Sequence, residues 1–132
     1  MSNWLKLEGD VCAVTGALGG MGIEICREFA RNGANVVLLD LDEEKVKAAA
    51  ADLAAEFGIH AEGYKMNATD EAEVQAAVDA TIANFGRVDV LMNAAFSHTR
   101  NDRLLELDLD TAHRATDLNV LASIGLVQEL ST

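Results

Sequence analysis

Hydrophobic and polar positions along the chain follow two alternating patterns. Continuous apolar runs, of the kind found in strands buried on both faces, lie at residues 11–15 and 35–40, and shorter mixed runs at about 61–66 and 88–93 predict two further strands, of which 61–66 has the weaker pattern. Between and after these runs, apolar residues recur three and four positions apart, which predicts helices over about residues 20–32, 42–57, 70–85 and from about 108 onward. Strands that alternate with helices indicate a parallel sheet with right-handed crossovers.

The ends of the predicted helices carry signals of their own. Gly33, Gly58 and Gly86 directly follow the first three helices, where glycine commonly caps a C-terminus. Asp70 and Glu73 have the spacing of a capping box at the start of the third helix. No linker or low-complexity segment interrupts the pattern, so we expect residues 1–132 to form a single domain.

The stretch from Val11 to Gly22, VCAVTGALGGMG, combines a buried strand, a glycine-rich turn and the first turn of a helix. A helix N-terminus presents unpaired N–H groups and a partial positive charge, which attract an anion. Glycines allow a sharp turn and let phosphates approach the backbone. The stretch therefore predicts a pyrophosphate-binding loop. The alternative is an ordinary glycine-rich connection between a strand and a helix.

The spacing T-G-x-x-x-G-x-G, from Thr15 to Gly22, resembles the cofactor motif of the short-chain dehydrogenase/reductase family. The resemblance implies an α/β fold with a Rossmann-type parallel sheet and helices on both faces. It also implies an NAD or NADP cofactor and a catalytic Asn, Ser, Tyr and Lys. We expect the strand order 3-2-1-4, with helices one and two on one face and helix three and the last helix on the other. The chain matches the first part of the family's domain, truncated after strand four and the helix that follows it.

Asp40, at the end of the second strand, is the residue that favours NAD over NADP. A carboxylate at this position accepts hydrogen bonds from the ribose hydroxyls and repels a 2′-phosphate. No Arg or Lys lies in the glycine loop to offset it. The alternative role is capping of helix two, which could equally fall to Asp42.

The other expected cofactor contacts lie at the ends of strands three and four. The family commonly has an Asp at the position of Asn67, in contact with adenine; Asn67 could instead be a turn residue. Asn93-Ala94-Ala95-Phe96 resembles the family's Asn-Asn-Ala-Gly element, or its Asn-Ala-Ala-Gly variant, with Phe96 in place of the glycine. The complete set of expected cofactor-binding residues is Gly16, Leu18, Gly19, Gly20, Met21, Gly22, Asp40, Leu41, Asn67, Ala68, Asn93, Ala94 and Ala95.

Asn119, in the last helix, matches the family's catalytic Asn, which holds a water molecule in a proton relay. The alternative is that it bonds to nearby backbone or faces solvent. The family's Ser, Tyr and Lys have no match in the chain, because the single tyrosine, Tyr64, has Ala68 four positions later instead of Lys. Ser97 and His98 are adjacent, but neighbours in sequence rarely face each other as nucleophile and base.

Composition narrows the classes of partner. The chain has 22 acidic and 10 basic residues and a net charge of −12, which disfavours nucleic acid and anionic membranes. It contains no apolar run long enough to span a bilayer and no signal-peptide core, so we expect a cytoplasmic location. Cys12 and Cys26 fit no metal-binding spacing and are best explained as small buried residues. No metal is expected.

These observations predict an NAD-dependent oxidoreductase that transfers hydride between NAD and an alcohol or ketone. This chain would supply the cofactor-binding half and would be inactive alone. The alternatives are a non-catalytic nucleotide-binding module and an interaction fragment that oligomerises. We expect a homo-oligomer, because strand four would lie at an open sheet edge and the last helix is apolar nearly all round.

Overall fold

A computed structural model describes residues 5–95 together with Leu109, Asp110, His113 and Leu130. The described chain alternates strands with helices throughout. The strands are β1 (Val11–Thr15), β2 (Asn35–Asp40), β3 (Ala61–Lys65) and β4 (Val90–Asn93). The helices are α1 (Gly20–Arg31), α2 (Glu43–Phe57) and α3 (Glu71–Phe85).

The strands form one sheet in the order β3-β2-β1-β4, which confirms the predicted order. Every neighbouring pair is parallel. Ala13 in the middle of β1 pairs with Val37 on one side and Leu91 on the other. The carboxyl ends of all four strands therefore share one edge, where ligands bind in open parallel sheets.

The sheet separates two apolar cores, one on each face. Val14, Val36 and Leu38 face α1 and α2 and pack with Cys26 and Leu53. On the opposite face, Val11, Ala13, Val37 and Leu39 pack with Met66 and with Val74, Ala77 and Val78 of α3. Alternate residues of the central strands thus enter opposite cores, as expected for strands buried on both faces.

Side-chain caps set the helix boundaries. Asp42 accepts a hydrogen bond from the N–H of Lys45, so it caps α2. Asp70 caps α3 by accepting from the N–H groups of Ala72 and Glu73. The predicted capping box is only half formed, because the N–H of Asp70 donates to the carbonyl of Asn67 instead of to Glu73.

Strand β4 begins two residues later than the apolar run predicts. Asp89 already pairs with β1, but partly through its side chain: its carboxylate accepts from the N–H of Val11 at 2.8 Å, while its own N–H donates to the Val11 carbonyl. The strand ladder starts with the pairing of Cys12 and Val90.

Several sequence predictions fall outside the described residues. They concern Phe96, Ser97, His98, Asn119 and most of the last helix. Leu109, Asp110, His113 and Leu130 are helical, and Leu130 packs on the α3 side of the sheet. Of the helices in the described part of the chain, none combines the length and apolar character needed to cross a bilayer.

Candidate functional site

The connection from β1 to α1 turns at Gly16, whose φ is +64°. A Cβ on Gly16 would lie 2.8 Å from the carbonyl oxygen of Ala94 and 2.8 Å from the nitrogen of Ala95. Backbone conformation and lack of space therefore both require glycine here. The close approach brings the glycine loop against the segment that follows β4.

Helix α1 begins against the same loop. A Cβ on Gly22 would lie 2.1 Å from the carbonyl oxygen of Gly16, so Gly22 lets the helix start directly behind the turn. A Cβ on Gly20, by contrast, would meet nothing within 4 Å. Gly19, the N-cap, provides no side-chain cap, and the first turn contains no acidic residue. In the part of the chain that the structure describes, the N–H groups of Gly20, Met21 and Gly22 bind no acceptor, as is usual at a helix start. Met21 itself is 76% exposed.

Asp40 connects the end of β2 to the glycine loop. Its Oδ2 accepts a hydrogen bond from the N–H of Leu18 at 2.8 Å, and its Oδ1 accepts from the N–H of Leu41 at 2.7 Å. Because Asp42 caps α2, the capping alternative for Asp40 does not hold. Each carboxylate oxygen has about two acceptor positions, so Asp40 can bind a ligand's hydroxyl groups while it holds the loop.

Asn67 lies just beyond β3, next to Asp40 across the sheet. The N–H of Met66 donates to the carbonyl of Asp40 at 2.9 Å, which holds the two strand ends together. The Oδ1 of Asn67 accepts from the N–H of Thr69 at 3.1 Å and from its hydroxyl at 2.7 Å. The turn-residue interpretation of Asn67 is therefore correct, and it leaves the amide nitrogen for a further contact. Ala68 packs against the α3-side core.

Thr15 is a site residue that sequence reasoning missed. Its fully buried hydroxyl donates to Oδ1 of Asn93 at 2.6 Å and accepts from the N–H of Ala95 at 3.1 Å. One side chain thus fixes the path of the segment from Asn93 to Ala95 against the glycine loop. A polar residue at the end of an otherwise apolar strand was the available signal.

The two cysteine thiols and the Tyr64 hydroxyl have structural roles in the described part of the chain. Burial raises the pKa of Cys12 to about 11 and that of Cys26 to about 12, so neither thiol is poised as a nucleophile. Burial also raises the pKa of Tyr64, whose hydroxyl accepts from Asn84 and donates to the carbonyl of Ala80. Over the described residues, no group of three or more His, Cys, Asp or Glu side chains could hold a metal ion.

Comparisons with known proteins place the glycine loop and the parallel sheet in a known family. A family model for short chain dehydrogenases matches residues 10–132. D-threitol dehydrogenase from Mycolicibacterium smegmatis is 43% identical over 90 residues, which cover 68% of this chain and 34% of that protein. The crystal structure of NAD⁺-bound xylitol dehydrogenase superposes with a TM-score of 0.89 at 30% identity, covering 96% of this chain and 48% of that one.

A second solved structure has a different cofactor. L-sorbose reductase from Gluconobacter frateurii, in complex with NADPH and L-sorbose, superposes with a TM-score of 0.88 at 27% identity. The superposition covers 95% of this chain and 47% of the reductase chain. The chain therefore spans about half the length of these solved relatives.

Proposed function

Because the chain belongs to the short-chain dehydrogenase family, we propose that residues 10–132 form the cofactor-binding part of an NAD-dependent oxidoreductase. Members of this family bind a nicotinamide dinucleotide on a parallel sheet with strand order 3-2-1-4, which this chain has. The observation that carries the proposal is the joint placement of Asp40 and the α1 N-terminus. The 2.8 Å hydrogen bond from the N–H of Leu18 to Asp40 brings them together at one edge of the sheet.

The residues present fit a dinucleotide. The N–H groups of Gly20, Met21 and Gly22 would hold the pyrophosphate, with Gly16 and Gly19 shaping the turn before them. The carboxylate of Asp40 would accept from the adenosine ribose hydroxyls, beside the backbone of Leu18 and Leu41. The base would extend toward Asn67 and Ala68. The segment Asn93, Ala94 and Ala95, on the other side of β1, would lie toward the nicotinamide.

The charges near Asp40 support NAD in preference to NADP. Neither Gly16–Gly22 nor Asp40–Glu44 contains an Arg or Lys. A 2′-phosphate placed at Asp40 would therefore meet carboxylates without a neighbouring cation from these segments. The two solved relatives differ in this respect, since one was determined with NAD⁺ and the other with NADPH.

The proposed reaction is hydride transfer between NAD and an alcohol or ketone. The cofactor supplies the hydride-accepting and hydride-donating carbon of its nicotinamide ring. This chain binds and orients the dinucleotide, and Asn119 is the proposed catalytic residue, holding a water molecule for proton transfer. The sequence contains no Tyr-x-x-x-Lys pair to serve as general acid and base. We therefore propose that the 132-residue chain alone does not turn over alcohols or ketones.

Two further proposals concern the state of the protein in the cell. A cytoplasmic location is supported by Cys12 and Cys26, which are both buried and form no disulfide. Homo-oligomerisation is supported by β4, which among the described strands pairs with β1 alone. Sedimentation at micromolar concentration tests it, and a monodisperse monomer would contradict it.

A non-catalytic nucleotide-binding module is the second candidate function. The observation that favours it is that the described residues supply binding groups, namely the α1 N-terminus and Asp40, while the sequence contains no Tyr-x-x-x-Lys pair. It predicts the same binding of NAD, so activity separates the two candidates. NAD-dependent turnover of an alcohol or ketone by a longer protein that contains this chain together with a Tyr-x-x-x-Lys pair would support the oxidoreductase.

Calorimetric titration of the chain with NAD and NADP tests the central proposal. NAD should bind more tightly, and Asp40→Ala should shrink the difference by weakening NAD. Asp52→Ala, which removes one negative charge from the exposed face of α2, is the matched control and should leave the difference unchanged. Equal affinities for the two cofactors in the unmodified chain would refute the NAD assignment.

A further inference from the structure

The carboxyl end of β3 places a cation next to Asp40. Lys65, the last residue of β3, pairs with Asp40, the last residue of β2, in the parallel register. Neighbouring strands lie about 4.8 Å apart, and paired residues direct their side chains to the same face of the sheet. A lysine side chain is long enough to bring its ammonium group to a carboxylate at that distance. Lys65 and Asp40 are therefore placed to form an ion pair.

In the structure, the ammonium group of Lys65 is paired with a different carboxylate. Its Nζ lies 3.5 Å from Oε1 of Glu73, in the first turn of α3. Within the described part of the chain, the carboxylate of Asp40 is contacted by the N–H groups of Leu18 and Leu41 and by no cation. Lys65 thus has two carboxylates near it and is paired with the one that lies outside the proposed cofactor site.

The surroundings of Glu73 explain why it holds Lys65. Its Oε1 is shielded from solvent and receives no hydrogen bond from the described residues, so a nearby positive charge offsets the cost of burying it. The N–H of Asp70, which a capping box would direct to Glu73, donates to the carbonyl of Asn67 instead. The carboxylate of Glu73 is therefore available to Lys65, whereas that of Asp40 already accepts two hydrogen bonds.

We propose that Glu73 is a positioning residue for cofactor selectivity, because it holds Lys65 away from the carboxylate of Asp40. This inference rests on the proposed function, in which that carboxylate accepts from the ribose hydroxyls and repels a 2′-phosphate. Released from Glu73, the ammonium group of Lys65 would pair with Asp40. It would then compete with the ribose hydroxyls of NAD and supply a cation for the 2′-phosphate of NADP. Both effects would reduce the preference for NAD.

Calorimetric titration of the full chain with NAD and NADP measures this preference as the ratio of the NADP to the NAD dissociation constant. Glu73→Gln removes the charge that holds Lys65, and glutamine suits this position of a helix. The ratio should fall about 2- to 5-fold, the range expected for one partly exposed ion pair. Glu71→Gln removes the same charge from the same helical turn, at an exposed residue that forms no ion pair among the described residues. This control should keep the ratio of the unmodified chain.

Lys65→Met separates the action of Lys65 from that of the Glu73 charge itself. In a chain with Lys65→Met, the further change Glu73→Gln should no longer alter the ratio, because the cation that it releases is absent. An equal fall with and without Lys65, or an equal fall in Glu71→Gln, would overturn the inference, since the lost charge would then act on the cofactor directly. An unchanged ratio in Glu73→Gln would overturn it as well.

A second variant keeps the test decisive if Glu73→Gln does not fold, as judged by far-ultraviolet circular dichroism. Glu73→Asp keeps the charge but shortens the side chain by one methylene, which weakens its hold on Lys65. The ratio should fall in the same direction, and an unchanged ratio would count against the inference. The proposed function is judged separately, on the unmodified chain. A chain that binds neither cofactor refutes the proposed function together with this inference, whereas a preference for NAD that no variant alters overturns the inference alone.

Discussion

The hydroxyl of Thr15 donates a hydrogen bond to Oδ1 of Asn93 at 2.6 Å, joining the ends of β1 and β4. The two residues are also paired in the strand register. The same hydroxyl accepts from the N–H of Ala95 at 3.1 Å. Thr15 therefore holds the segment after β4 against Gly16, where a Cβ would clash with the backbone of Ala94 and Ala95. The geometry of the proposed cofactor site depends on this buried side chain.

Replacing Thr15 with Val tests this dependence. Val keeps the β-branched shape, but it leaves the N–H of Ala95 and Oδ1 of Asn93 without this partner inside the protein. We expect the free energy of unfolding to fall by about 1–3 kcal/mol, as measured by urea denaturation. Amide exchange at Ala95 should accelerate. Thr15→Ser, which retains the hydroxyl, should preserve the slow exchange. Equally fast exchange in both variants would show that packing and not the hydrogen bond fixes the segment.

Gly22 and Gly20 form a matched pair for the glycine loop. A Cβ at Gly22 would lie 2.1 Å from the carbonyl oxygen of Gly16, whereas one at Gly20 meets nothing within 4 Å. Gly22→Ala should therefore lower the free energy of unfolding by at least about 2 kcal/mol through overpacking. Gly20→Ala should be neutral or stabilising by up to about 1 kcal/mol, because alanine favours the helix. Similar thermal midpoints for the two variants would contradict the described loop.

Asp89 should make stability depend on acid pH. The hydrogen bond from the N–H of Val11, with help from Arg87 and against the cost of burial, lowers the pKa of this carboxyl. A lowered pKa in the folded state means that the stabilisation is present above the unfolded pKa, about 3.9. It is lost as the pH falls through the folded value.

Urea denaturation at pH 7, 5 and 3 checks this contribution. The unmodified chain should be more stable than Asp89→Asn at pH 7 and 5, and the gap should narrow at pH 3. Asp52→Asn, at an exposed position on α2, is the charge-matched control. A gap for Asp89→Asn that stays constant over this pH range would rule out a contribution from ionisation.

The fold could be predicted because its signals are local and periodic. Runs such as Val36–Leu39 are apolar on both faces, and the residues after them repeat at helical spacing. The alternation of strands with helices predicts a parallel sheet, and the family resemblance predicts the strand order β3-β2-β1-β4 that the structure has. Helices α2 and α3 each begin one residue later than predicted, because Asp42 and Asp70 act as their N-caps. The sequence indicated a capping role for both residues, and the shift arises because an N-cap lies just outside the first helical residue.

Site contacts that join distant strand ends could be predicted only in part. Asp40 was identified from its place at the end of β2, but its bond to the N–H of Leu18 depends on the exact path of the glycine loop. The role of Thr15 could not be predicted, because the partners of its hydroxyl, Asn93 and Ala95, lie 78 and 80 residues away in sequence. The roles proposed for Asn119 and for the cofactor contacts remain predictions that ligand binding and activity will test.

The two cysteines allow a chemical test of the packing around the site. Cys12 lies on β1, three residues before Thr15, and Cys26 lies on α1; both are completely buried. Burial raises their pKa values to about 11 and 12, so at pH 8 almost no thiolate is present in the folded chain. We expect both thiols to resist Ellman's reagent at pH 8 and to react rapidly in denaturing urea. Cys12→Ala and Cys26→Ala assign the two signals. Rapid reaction of either thiol in the native chain would show that the interface between β1 and α1, on which the glycine loop is built, opens more readily than the described packing allows.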